Sequence, residues 1–226
     1  MRVWAGAETR SSRTNVPCRG RPLCRSGSLR RASIYDALVN DEAPTERLRE
    51  EHHLILAVAG VLDDIVTVAE GGDGFDFVTA DRCVAFFRLF VDAFHHGKEE
   101  ELLFPELGSH GLSYDGGPIA VMLAEHGEGR AFVRKMSEAI GDARNGDAAA
   151  LAVLLAAGRG YVDLIRSHIL KENTVLFTMA DQMIVGTDRI RLCGAYESAG
   201  EGVFEGQTRA DLADLARRLM EKYPQR

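Results

Sequence analysis

The chain has 226 residues, 46% of them hydrophobic, 27% charged and 7% aromatic, a composition typical of one folded globular domain with room for a sizeable core. Its net charge of −7 conceals an uneven distribution: residues 1–33 hold eight arginines and a single acid, Glu8, so the remainder carries −14. An acidic body argues against nucleic acid as the main partner, and apolar runs such as Leu54 to Leu62 fall far short of the ~20 residues that span a bilayer, so no membrane helix is expected.

Residues 1–40 form an Arg/Ser-rich stretch that resembles a transit peptide in composition but has no apolar face of useful length. It is expected to be a disordered tail outside the fold. Four cysteines occur, Cys18, Cys24, Cys83 and Cys193, without any CxxC pair, which disfavours a zinc ribbon and suits a reducing cytoplasm. Cys83 sits in an apolar helical run and reads as a small buried hydrophobe.

From about Thr45 the pattern becomes helical, with Gly-rich breaks at "EGGDG" (70–74), "GSHGLSYDGG" (108–117) and "RNGD" (144–147). Helices are expected at roughly 45–69, 78–107, 118–143 and 147–184, and no sustained strand-like alternation appears. The expected fold is all-α: an antiparallel up-down-up-down four-helix bundle over 41–185, followed by a helical extension over 186–226. Two amphipathic pieces, "TDRIRLCGAYESA" and "TRADLADLARRLMEKY", supply the extra C-terminal helices.

A repeat inside the bundle selects residues. "HHGKEEELLFPEL" from His95 aligns without a gap on "HILKENTVLFTMA" from His168, matching His95/His168, Lys98/Lys171, Glu99/Glu172, Leu103/Leu176 and Phe104/Phe177. Each copy is H-x-x-x-E, and residues four apart lie one above the other on a helix, close enough to serve one metal centre. Apolar neighbours turn both stripes inward, where an unpaired carboxylate is costly and metal coordination offsets that cost.

The first and third helices add the Glu-His dipeptides Glu51-His52 and Glu125-His126, each histidine on an apolar face. His53 lies about 100° further round than His52 and falls outside the stripe. Read singly, each of these histidines could be a satisfied core residue; together, His52, His95, Glu99, His126, His168 and Glu172 form a mixed N/O set that suits iron, manganese or zinc, with Glu99 and Glu172 placed to bridge two ions. His96, Glu100 and Glu101 are expected on a wet outer face. Lys98 and Lys171 either offset the glutamates' charge or point to water, Glu125 either contacts the site or faces solvent, and Tyr161 is either a core residue or a donor above the metals.

The motifs "EEHHLI", "HHGKEEELLFP", "GPIAVMLAEHGEGR" and "SHILKENTVLF" resemble those of hemerythrin-like proteins with an HHE cation-binding domain, over about Arg47 to Asp181. The resemblance implies a non-haem centre of two iron ions, oxo- or hydroxo-bridged, with the six residues above as ligands and an open position for dioxygen, nitric oxide or peroxide. Arg130 and Asn173 stand where oxygen carriers of that family have a histidine and an aspartate, so the arrangement is similar to the four-histidine, two-glutamate type found in repair-of-iron-centres proteins. The expected function is small-ligand binding for sensing, buffering or detoxification in the cytoplasm. A di-iron peroxidase or catalase-like oxidoreductase, served by a redox partner, and a non-redox metal-binding protein are the alternatives.

Overall fold

A computed structural model describes residues 43–224; the expected N-terminal tail, 1–40, lies outside the described residues. Helix α1 is Glu46–Glu70, α2 runs over 77–109, α3 is Gly117–Arg144 and α4 runs over 148–183. A shorter helix α5 (Gly186–Gly200), a two-residue ladder of β1 (Val203–Phe204) against β2 (Gln207–Thr208), and α6 (Arg209–Lys222) complete the chain. The four long helices form the expected bundle.

The breaks fall where sequence chemistry puts them. Asp76 caps α2 by accepting from the Thr79 N–H at 3.1 Å, and Asp147 caps α4 by accepting from Ala149 and Ala150. Gly146 takes φ +98° between α3 and α4, a backbone geometry that a side chain would oppose. Thr45 and Arg49 at the start of α1 both donate to Asp181 near the end of α4, which ties the two ends of the bundle chain together.

The ladder was not expected from the alternation pattern. It is only two residues long on each side, closed by Glu205 at φ 48° and Gly206 at φ 82°, the paired left-handed geometry of a tight hairpin. Six residues give no periodicity to detect.

Helices α1 and α4 are long and apolar enough, by length and composition, to cross a membrane. Here they pack against each other within the bundle and contribute Ile55, Leu62, Leu154 and Ile165 to one core. The apolar interior is in two parts. One cluster holds Ile55, Val91, Val133 and Ile165; the other holds Leu48, Leu103, Met122 and Leu176. On every long helix the histidines and glutamates selected from the sequence lie between those two sets. Leu212 and Leu219 of α6 join the first core, and Leu192 and Tyr196 of α5 join the second, so the extension covers both.

Helix α2 departs from α geometry twice, over Phe87–His96 and Glu99–Leu103, and α4 departs once, over Glu172–Leu176, in each case to i→i+5 hydrogen bonding. Phe104 and Phe177 accordingly donate to the carbonyls of Glu99 and Glu172, five residues back. Such wide turns gather at functional sites because they re-aim side chains that α periodicity would turn away.

Candidate metal centre

All six residues selected from the sequence are buried and brought to one level of the bundle: His52, Glu99 and Glu172 are fully buried, and His95, His126 and His168 nearly so. His53 is exposed, so the helical-face argument for His52 holds in the structure. Two overlapping groups result, His52, His95, Glu99 and Glu172, and His96, Glu99, His126 and His168. Within each, one donor atom per residue lies within 4.8 Å of the others.

His96 corrects the sequence reading. It is 5% exposed and inside the cluster, not on a wet face. The physical reason is the wide-turn stretch Phe87–His96, in which each residue advances less around the helix axis, so two successive histidines both face inward. The repeat carried one clue: its counterpart in α4 is Ile169, a buried apolar side chain. Glu100 is also corrected, being partly buried with its carboxylate 2.6 Å from Nδ1 of His126. Glu101 is exposed as expected.

The ring orientations follow one rule. Nδ1 of His95 meets Glu51 at 2.9 Å, that of His168 meets Glu125 at 3.0 Å, that of His126 meets Glu100, and that of His52 meets Asn173 Oδ1 at 2.9 Å. Every partner atom is an acceptor, so every Nδ1 carries the proton and every Nε2 presents a lone pair to the interior. The repeat symmetry extends to these supports. The glutamate of each Glu-His dipeptide holds the histidine of the next helix, and the residue after each central glutamate holds the histidine of the remaining helix.

Lys98 and Lys171 extend the pattern. Lys98 is 3% exposed and paired with Glu51 at 2.5 and 2.6 Å, while Lys171 is half-exposed and paired with Glu125. Glu51 is held below the usual carboxylate range because its bond to His95 and the charge of Lys98 together outweigh burial, which alone would raise it. Burial is also the main reason that the Lys98 ammonium is lowered, against the pull of Glu51. Arg130 donates to Asp92 at 2.6 Å and Glu100 at 2.7 Å, and Asn173 is committed to His52, so both residues act as supports of the imidazoles.

Inside the ring of lone pairs the polar atoms lack partners. Both oxygens of Glu99 and of Glu172, Nε2 of His126 and of His168, and both nitrogens of His96 are buried without a hydrogen bond. The Nε2 atoms of His52 and His95 stand 3.1 Å apart, both turned into the cluster. Glu99 lies between His95 (3.6 Å) and His126 (3.5 Å), and Glu172 between His52 (3.1 Å) and His168 (3.4 Å).

Electrostatics agree with this geometry. Burial and the neighbouring Glu172 push Glu99 well above the ordinary carboxylate range, whereas protonation of the facing imidazoles, His168 first and then His52 and His95, would hold Glu172 below it in spite of its burial. Burial lowers His95 to about 4 and His168 below its usual value, so these imidazoles are neutral and ready to donate. Orphaned buried acceptors cost about 1–3 kcal/mol each, more when charged, and a cation is the group that relieves all of them together. The residues present therefore fit a metal.

Phe177 stacks on His52 at 5.2 Å and Phe104 on His126 at 5.8 Å, the same repeat position closing each half. Tyr161 is 2% exposed with its ring 4.5 Å from Phe87 and lines a cavity that also reaches His96. His110, for which the sequence suggested no partner, lies 3.5 Å from both Glu106 and Asp188; Arg191 already pairs with these two carboxylates.

A four-helix bundle that carries buried histidines and carboxylates at one level defines a metal-binding bundle protein. The family model described as the hemerythrin HHE cation-binding domain matches residues 43–180, which covers all four long helices up to the last turn of α4. The chain belongs to that family. No curated protein and no solved structure matches it.

Proposed function

We propose that this chain is a non-haem di-iron protein in which His52, His95, Glu99, His126, His168 and Glu172 hold two ions, and that it binds dioxygen, nitric oxide or peroxide for sensing, buffering or detoxification. The observation that carries the reading is the set of four imidazoles, each with Nδ1–H anchored on an acceptor and Nε2 turned toward two carboxylates that have no other partner. Glu99 belongs to both donor groups, and each central glutamate faces one histidine from either half, which suits both to bridging.

Iron held there supplies redox capacity and positions at which a small ligand can exchange. The chain's own residues do the rest. Glu51, Glu100, Glu125 and Asn173 keep the imidazoles in one tautomer and one orientation, and Phe104 and Phe177 exclude water. Peroxide turnover is a second reading, favoured by a cavity of about 400 Å³ that ends at His96, more room than a diatomic molecule needs.

The experiment is anaerobic loading with ferrous iron followed by stopped-flow mixing with dioxygen, nitric oxide and hydrogen peroxide in turn. Absorbance changes with dioxygen or nitric oxide support the binding reading, and sustained peroxide consumption supports the enzymatic one. Retention of zinc in preference to iron, with no response to any of the three, would overturn both.

A further inference from the structure

We propose that the cavity between α2, α3 and α4 binds a small aromatic acid that carries a hydroxyl group, with the ring on the apolar walls, the hydroxyl at His96 and the carboxylate at an arginine rim. The inference goes beyond the di-iron reading and does not depend on which ions the cluster holds.

The α2 side of this cavity comes entirely from the wide-turn stretch Phe87–His96, which supplies Phe87, Arg88, Val91, Asp92 and His96 to the lining. Tyr161 of α4 sets its ring 4.5 Å from that of Phe87, tilted by 44°, and Val133 of α3 adds to the apolar surface. Flat and branched apolar side chains of this kind pack well against an aromatic ring. The volume of about 400 Å³ lies at the lower end of the ~300–1,000 Å³ that small-molecule sites occupy, which favours a compact ligand.

One group in the lining is a buried polar side chain with nothing to bond. His96 is 5% exposed, neither of its ring nitrogens has a hydrogen-bond partner, and the Asp92 carboxylate stands 3.7 Å from Nδ1, beyond bonding reach. A buried polar group in that state is costly. A neutral imidazole carries one donor and one acceptor, and a hydroxyl, itself both, can meet either. The internal repeat gives no structural reason for a polar group here, since the counterpart of His96 is the apolar Ile169.

The exposed part of the lining is cationic. Arg88, Arg130 and Arg134 face the cavity with Asp92 and Glu138, which leaves one positive charge in excess. Glu205 holds Arg88, while Asp92 and Glu100 hold Arg130. Arg134 is exposed and pairs with no carboxylate among the described residues, so its guanidinium is open to a two-pronged bond with a ligand carboxylate. An aromatic body with a hydroxyl and a carboxylate matches the apolar walls, the unpartnered imidazole and the unpaired guanidinium together. A purely apolar compound would leave both polar groups unmet, and a fatty acid would meet only the arginine.

The test is isothermal titration calorimetry of the full purified chain with para-hydroxybenzoate, benzoate and phenol, with circular dichroism and iron per chain recorded beside it. The wild type is expected to bind para-hydroxybenzoate about tenfold more tightly than benzoate, which lacks the hydroxyl, or phenol, which lacks the carboxylate. Arg134→Gln, a change at an exposed position, weakens para-hydroxybenzoate and benzoate by about tenfold and leaves phenol unchanged. Val133→Phe, which fills the cavity, removes binding of all three at unchanged helix and iron content. Absence of binding, equal affinity of the wild type for the three compounds, or unchanged affinity for para-hydroxybenzoate in Arg134→Gln would overturn the proposal. So would a phenolate-to-iron charge-transfer band on addition of para-hydroxybenzoate, which would put the hydroxyl on metal instead of on His96. The predicted affinities in a wild type that holds no iron would support this site and overturn the di-iron reading, so the two failures are told apart.

Discussion

The carboxylate of Glu51 on α1 lies 2.9 Å from Nδ1 of His95 on α2 and grips the ammonium of Lys98 one turn further along, so two buried side chains, one from each helix, fix one imidazole. Glu125, His168 and Lys171 repeat the arrangement between α3 and α4, nearer to solvent.

Glu51→Gln should lower metal affinity by roughly 10–100-fold with the helical fold retained, because a support of a ligating imidazole is weakened without emptying its space. The matching Glu125→Gln should lose less, since its Lys171 partner is half-exposed and solvent can replace part of the interaction. Chelator competition on both variants, with circular dichroism as the check on folding, measures the difference.

The metal-free protein should lose stability as the pH falls from about 6.5 toward 4. Burial holds His95 at about 4 and also lowers His96 and His168, so the unfolded chain binds protons on these imidazoles in a window where the folded chain does not. With depressed folded values the stability is present above the unfolded value and is lost on acidification, by up to about 1.4 kcal/mol per pH unit for each imidazole. Urea unfolding of the metal-free protein at several pH values should show that slope, and a flat profile would contradict it.

Asp76 joins the start of α2 to the C-terminal helix by accepting from the Thr79 N–H and hydroxyl, the Lys222 ammonium and the Tyr223 hydroxyl. Asp76→Ala should cost about 1–2 kcal/mol, the usual cost of a lost helix cap. Burial alone would raise this carboxyl, but bonding to Lys222, then Thr79 and Tyr223, holds it well below the ordinary range. The advantage of the wild type should therefore be constant above about pH 5 and shrink as the pH falls below the unfolded value near 4. Thermal melts of the two proteins across that range provide the measurement.

Helical periodicity and the Gly-rich breaks made the four long helices legible, and the H-x-x-x-E repeat made His95, Glu99, His168 and Glu172 legible, because both signals are local in the chain. His52 and His126 followed from apolar faces and the shared Glu-His dipeptides. The same reasoning misplaces His96, because α periodicity assigns it outward, and the i→i+5 turns that bring it in leave only one trace in residue types, the apolar Ile169 at its counterpart position. The support given by Glu51 to His95 escaped for a different reason: the two lie 44 residues apart on separate helices, and only packing reveals that they meet. The dipeptides held that information, but as a marker of register and not of contact.

The most direct test of the central claim is metal analysis of the purified chain beside Glu99→Ala, with iron determined per polypeptide. The account predicts two irons in the wild type and loss of at least one in the variant, because Glu99 belongs to both donor groups. Full iron retention in Glu99→Ala would contradict it.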